Sequence, residues 1–147
     1  MALSQPEIAP MTLPETAVVL SVMSILTLSV VHGASATADR AAVAEVQSAV
    51  VQAYRVAQSS ARALGQPVEL VLAPDSLVVQ ALGPDSQSIR RRPGPRASGV
   101  VLTPAGSATT YGPNGLAMGA GNITIVLVRG TVTRQIVISR LGRVRLN

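Results

Sequence analysis

From Thr16 to Val31 the chain runs sixteen residues without a charge, TAVVLSVMSILTLSVV, and its only polar members are Thr and Ser, whose hydroxyls can bond back to helix carbonyls. Counted from Met11 the run spans roughly 31 Å as an α-helix, close to the hydrocarbon thickness of a bilayer. Thr12-Leu13-Pro14-Glu15 has the S/T-x-x-E form of a capping box, with Pro14 in the first turn, where a missing N–H costs nothing. The pattern therefore predicts a helix beginning at Thr12 and a transmembrane segment over 11–31. His32-Gly33 interrupts it, and Gly33 is the cheapest place for a long helix to bend or fray. From Thr37 a helical period returns, with Val43, Val46, Val50, Ala53 or Tyr54, Ala57, Ala61 and Leu64 on one face. Asp39, Arg40, Glu45, Gln52, Arg55, Ser59 and Arg62 fall mostly on the other. Gly65 and Pro67 end the helix, so 32–66 reads as an amphipathic continuation of it.

Residues 67–147 change period. Val68–Leu72 and Leu77–Leu82 read as strands, and Pro-Asp-Ser follows each of them. Asp75 and Asp85 are turn-makers in this reading. A catalytic carboxylate pair would also need a nucleophile, a usable His or a phosphate loop nearby, and the sequence offers none. In QSIRRRPGPRAS, residues 87–98, two prolines and a glycine argue against a helix or a central strand and predict an exposed loop carrying Arg90, Arg91, Arg92 and Arg96. Further strands are expected at 99–102, 123–128, 131–139 and 143–146, with a Gly/Pro/Asn-rich connection over 104–121 and a hairpin turn at Arg129-Gly130. The fold class is α+β, a long N-terminal helix packed on a C-terminal antiparallel β-sheet domain.

Composition narrows the chemistry. With 147 residues the chain has room for one modest domain plus an anchor. It has no Cys, Phe or Trp, and Tyr54 and Tyr111 are its only aromatic residues, so the core must be built from Val, Leu, Ile and Ala. There are no thiolates, no metal-ligand cluster and no cofactor cradle, so the reading is of a non-enzyme without a cofactor. His32, with no second ligand nearby, reads as an interfacial residue. The first ten residues hold Glu7 and no basic side chain, which differs from the n-region of a secretory signal. Charge is strongly one-sided: from Arg90 to Asn147 there are nine arginines and no Asp or Glu. Such a domain attracts polyanions, with binding that weakens steeply as salt rises.

The order hydrophobe-Thr-Leu-x-Glu from Met11, followed by an unbroken apolar helix, resembles the N-terminus of type IV pilins and type II secretion pseudopilins. Together with ARALGQPVELVL, GVVLTPAGSAT and the ending RQIVISRLGRVRLN, it resembles the GspH/FimT family of minor pilins and pseudopilins. The likeness runs from Met11 to the C-terminus and is most specific at its two ends. It implies a leader over 1–10, removed by a prepilin peptidase between Pro10 and Met11; the family has Gly where this chain has Pro10. It also implies that Glu15 pairs with the freed ammonium of a neighbouring subunit during assembly. A single-pass bacterial inner-membrane protein follows, with an extracytoplasmic β domain over 67–147 and other pilin or pseudopilin subunits as partners. The resemblance offers two functions: a structural subunit of a type II secretion pseudopilus or type IV pilus tip, and a FimT-like DNA-binding minor pilin for DNA uptake. In the second, the Gly142-Arg143-Val144-Arg145 tail, with Arg140 just before the turn, contacts DNA.

Overall fold

The computed structural model describes residues 12–83, 86–119 and 122–147, and for 26–34 the backbone alone. Pro10, Met11 and Asp85, each given a role above, lie outside the described residues. So does part of the apolar span expected over 11–31. Among the described residues, no helix is long and apolar enough to cross a membrane.

Helix α1 covers Leu13–Leu64. Its start is tied by Glu15, whose carboxylate accepts from the Thr12 N–H at 3.0 Å and the Thr12 hydroxyl at 2.9 Å. The expected break at His32-Gly33 does not interrupt the helix. One glycine costs about 1 kcal/mol relative to alanine, which a helix of this length absorbs among good helix formers. The C-terminal stop falls where expected: Gly65 takes φ +63°, the left-handed conformation that ends a helix cheaply.

Residues from Ala36 onward form one compact unit. Here α1 buries Val43, Val46, Val50, Ala53, Tyr54, Ala57 and Ala61, the stripe that the period predicts. Leu64, expected to close the stripe, is 52% exposed because it sits in the last turn, beyond the residues that pack. Two antiparallel sheets complete the unit. The first contains β1 (Val68–Leu72), β2 (Ser76–Ala81), β3 (Ser88–Pro93), β5 (Ser107–Tyr111) and β6 (Ala117–Met118), in the order β3-β2-β1-β5-β6. The second contains β4 (Val101–Thr103), β7 (Ile123–Arg129), β8 (Val132–Ile138) and β9 (Val144–Leu146), in the order β4-β7-β8-β9. Alternation sends Val68, Leu70, Leu72, Leu77 and Val79 inward from the first sheet, and Leu102, Ile125, Leu127, Ile136 and Ile138 inward from the second. All of them join one core with the helix stripe. At its centre Tyr54 and Tyr111 meet edge to face, with ring centroids 6.4 Å apart, and the Tyr54 hydroxyl lies 3.4 Å from Thr109 Oγ1.

Three further sequence expectations change. Residues 88–93 are strand β3, and Pro95–Ser98 forms a short 3₁₀ turn, where a loop was expected over 87–98. Pro93 is tolerated because β3 is an edge strand and Pro93 is its last residue. The connection over 104–121 contains β5, which pairs along its whole length with β1 from Val68↔Tyr111 to Leu72↔Ser107. The tight turn of the β7–β8 hairpin is Gly130-Thr131, since Arg129 still pairs with Val132. Gly130 takes φ +56°, which suits a glycine at the first central position of a type II′ turn.

Candidate assembly and anion-binding sites

The tail arginines are positioned by the last hairpin. Ser139 opens its turn: the Ser139 carbonyl accepts from the Gly142 N–H at 2.8 Å, and the Ser139 hydroxyl accepts from the Arg143 N–H at 3.1 Å. The Ser139 N–H in turn donates to the Arg143 carbonyl at 2.9 Å. Asn147 and Gln135 exchange two backbone hydrogen bonds, both at 2.9 Å, which tie down the far end of β9. In this register Arg145 lies opposite Val137 while Val144 lies opposite the buried Ile138, so Arg145 projects from the outer face of the sheet. Arg143, two residues earlier, shares that face.

Arg143 and Arg145 line one recess of about 280 Å³ with Asn122, Val137, Ser139 and Leu141. Arg140 is not part of it. Arg140 is exposed in the turn, and its carbonyl accepts from the Ala117 N–H at 3.4 Å, a bond that links the turn to β6 of the other sheet. The structure thus brings two of the three predicted arginines together.

The wider charge pattern is just as uneven. Arg129 Nε donates to Asp39 at 2.8 Å, and its guanidinium also donates to the Ser98 carbonyl. Arg96 meets Asp75 at 3.3 Å on the open surface. Among the described residues, Arg90, Arg91, Arg92, Arg134, Arg140, Arg143 and Arg145 have no carboxylate partner. The sequence reading missed the Asp39–Arg129 bridge; with the partners ninety positions apart in the chain, no local spacing signals it.

Neither tyrosine is available to a ligand, as Tyr54 is 2% and Tyr111 1% exposed. Burial raises the pKa of Tyr54, opposed by its hydrogen bond with Thr109. Burial pushes Tyr111 up to about 12, and the nearby Tyr54 phenol adds to the rise. Among the described residues, no three His, Cys, Asp or Glu side chains gather where they could hold a metal ion.

Glu15 closes the start of α1 on Thr12. The helix around it exposes Leu13, Val18, Leu20, Val22, Met23 and Ile25, each more than half accessible.

The fold is similar to that of the type IV minor pilin FimU from Pseudomonas aeruginosa PAO1, seen in two crystal forms. One form aligns with a TM-score of 0.56 at 20% identity over 74% of this chain and 87% of FimU, and the other at 0.53, 18%, 74% and 91%. No curated protein sequence matches the chain. The model of the family described as type II transport protein GspH matches residues 47–142, from within the buried half of α1 through β1–β8 to the glycine of the last turn. With that match spanning most of the packed unit, and with a minor-pilin fold around it, the chain belongs to the GspH/FimT-like family of minor pilins and pseudopilins, a family of structural proteins.

Proposed function

We propose that the protein is a minor subunit of a type II secretion pseudopilus or a type IV pilus tip complex, anchored in the inner membrane and assembled through the first half of α1. The observation that carries this reading is the division of labour along one helix. From Val43 to Ala61 its apolar stripe is spent on the two sheets, whereas Leu13 to Ile25 leaves its apolar side chains open. Lipid and the helices of neighbouring subunits are the environments that accept such a surface. Glu15 is the one carboxylate in that stretch, and an ionisable group at such a position calls for a partner. In the assembled state its partner is a neighbouring subunit's α-amino group, with Thr12 holding the carboxylate until then.

The test is Glu15→Ala in cells that carry the machine. The variant is expected to remain in the membrane fraction and to be lost from sheared filaments or from the isolated tip complex. Normal incorporation would reduce Glu15 to a helix cap, whose loss costs about 1 kcal/mol of local stability.

DNA binding for uptake is the second reading, favoured by the recess that Arg143 and Arg145 share. With both tyrosines buried, no aromatic platform is offered to stack bases, so contact would rest on phosphates and be independent of sequence. A soluble fragment beginning near Ala34 should bind DNA at low salt whatever its purpose. The discriminating comparison sets Arg143→Gln with Arg145→Gln against Arg90→Gln with Arg91→Gln. Both pairs are held on or beside a strand, but Arg90 and Arg91 point to opposite faces of β3 while the tail pair shares one. A dedicated DNA site predicts a severalfold larger loss from the tail pair. Equal losses would leave only general polyanion attraction.

A further inference from the structure

We propose that the open edge of β3 docks an extended, acidic segment of another protein, which adds a strand to the five-stranded sheet and sets alternate carboxylates on Arg90 and Arg92. This goes beyond assembly through α1 and stands without it. β3 ends its sheet, so one side of its backbone pairs with no strand of this chain among the described residues. Its register with β2, Leu77↔Arg92 and Val79↔Arg90, puts both arginines on the helix side, while Arg91, opposite Val78, faces away. The two are therefore same-face neighbours about 6.7 Å apart at the Cα atoms, the spacing of i and i+2 in any added strand. Arg92 also lines a groove of about 670 Å³ along α1, together with Ala44, Ser48, Gln52 and Arg55 of the helix and Leu146 of β9. Glu45 also lines it and makes no ion pair with either arginine. Arg55 and Arg92 in the groove, and Arg90 on the same face of β3, are thus cations without carboxylate partners among the described residues.

Charge on an edge strand is also the usual guard against sheet-to-sheet aggregation. Three arginines repel a second copy of this basic chain, and the same field selects an acidic strand. Main-chain hydrogen bonds supply affinity in strand addition, and alternate side chains supply specificity. A nucleic acid would use the charges but not the open backbone, and it would find no exposed aromatic residue, because Tyr54 and Tyr111 are in the core.

The experiment uses the full-length protein in a nonionic detergent and a fluorescent ten-residue peptide with Glu at every second position and Thr or Val between. It is compared with a peptide of the same composition with its Glu residues in one block, an alternating peptide interrupted by two prolines, and a single-stranded oligonucleotide of equal charge. The alternating peptide should bind tightest and protect backbone amides of residues 89–92 from hydrogen exchange. The proline version should bind at least about tenfold more weakly, since it lacks the donors that the edge requires. Arg90→Gln with Arg92→Gln should cost about tenfold in peptide affinity, and Arg91→Gln with Arg134→Gln, which removes equal charge elsewhere, less than about threefold. Equal binding of the block peptide or the oligonucleotide, indifference to proline, no new amide protection, or no binding at all would each overturn the proposal. The peptide and exchange arms use the unmodified protein and so decide the matter even if a variant fails to fold.

Discussion

Tyr54 and Tyr111 are the only aromatic side chains in a core otherwise made of Val, Leu, Ile and Ala, and both are buried with their phenols neutral. An ordinary tyrosine ionises near pH 10, while burial holds Tyr111 up to about 12 in the fold. Between those values the unfolded chain releases a proton that the folded chain keeps. Stability is therefore complete below about pH 10 and falls as pH rises toward 12, by on the order of 2 kcal/mol from this residue. Denaturation measured from pH 8 to 11.5 should show the fall, and Tyr111→Phe should flatten it; an unchanged slope in the variant would place the alkaline loss elsewhere. At Glu15 the capping pattern was readable in sequence, because the groups involved lie within three residues of one another. The partnership of Arg129 with Asp39 was not readable, because it depends on where a hairpin meets a helix.

That hairpin shows how elements are tied together. Gly130 turns β7 into β8 at φ +56°, and a Cβ there would run into the Asp39 carboxylate. Gly130→Ala is expected to cost roughly 1–3 kcal/mol, from a left-handed conformation at a non-glycine residue and a displaced ion pair. Chemical denaturation of Gly130→Ala, Asp39→Ala and the double variant should give a combined loss smaller than the sum, because both changes break the same bridge. Full additivity would mean that the turn and the helix are not coupled through Asp39. The other lesson among the elements is β5. Ser107–Tyr111 has a Thr-rich, alternating pattern suited to a strand, yet flanking Gly and Pro made the region read as a connection. Its identity comes from β1 offering a free edge along five paired positions. β3 is similar: its arginines read as a loop until β2 provides the register.

For the molecule as a whole, the proposed route into an assembly begins with processing. Protein recovered from filaments in a strain with an active prepilin peptidase should begin at Met11 on N-terminal sequencing, and an intact Met1 would leave an uncleaved signal anchor in place of the leader. The broad plan was legible from local pattern: an apolar run leading into a helix stripe of Val43, Val46, Val50, Ala57 and Ala61, then short alternating strands, with carboxylates absent after Asp85. Period, capping and composition are properties of neighbours along the chain, and the physics that reads them acts over a turn or a strand. Which strands pair, and on which face each arginine emerges, depends on register, where a shift of one residue moves every side chain to the other side. For that reason only the tertiary structure separated Arg143 and Arg145 from Arg140, divided the strands into two sheets around one helix, and turned the basic segment at Arg90–Arg92 into an open edge beside a groove.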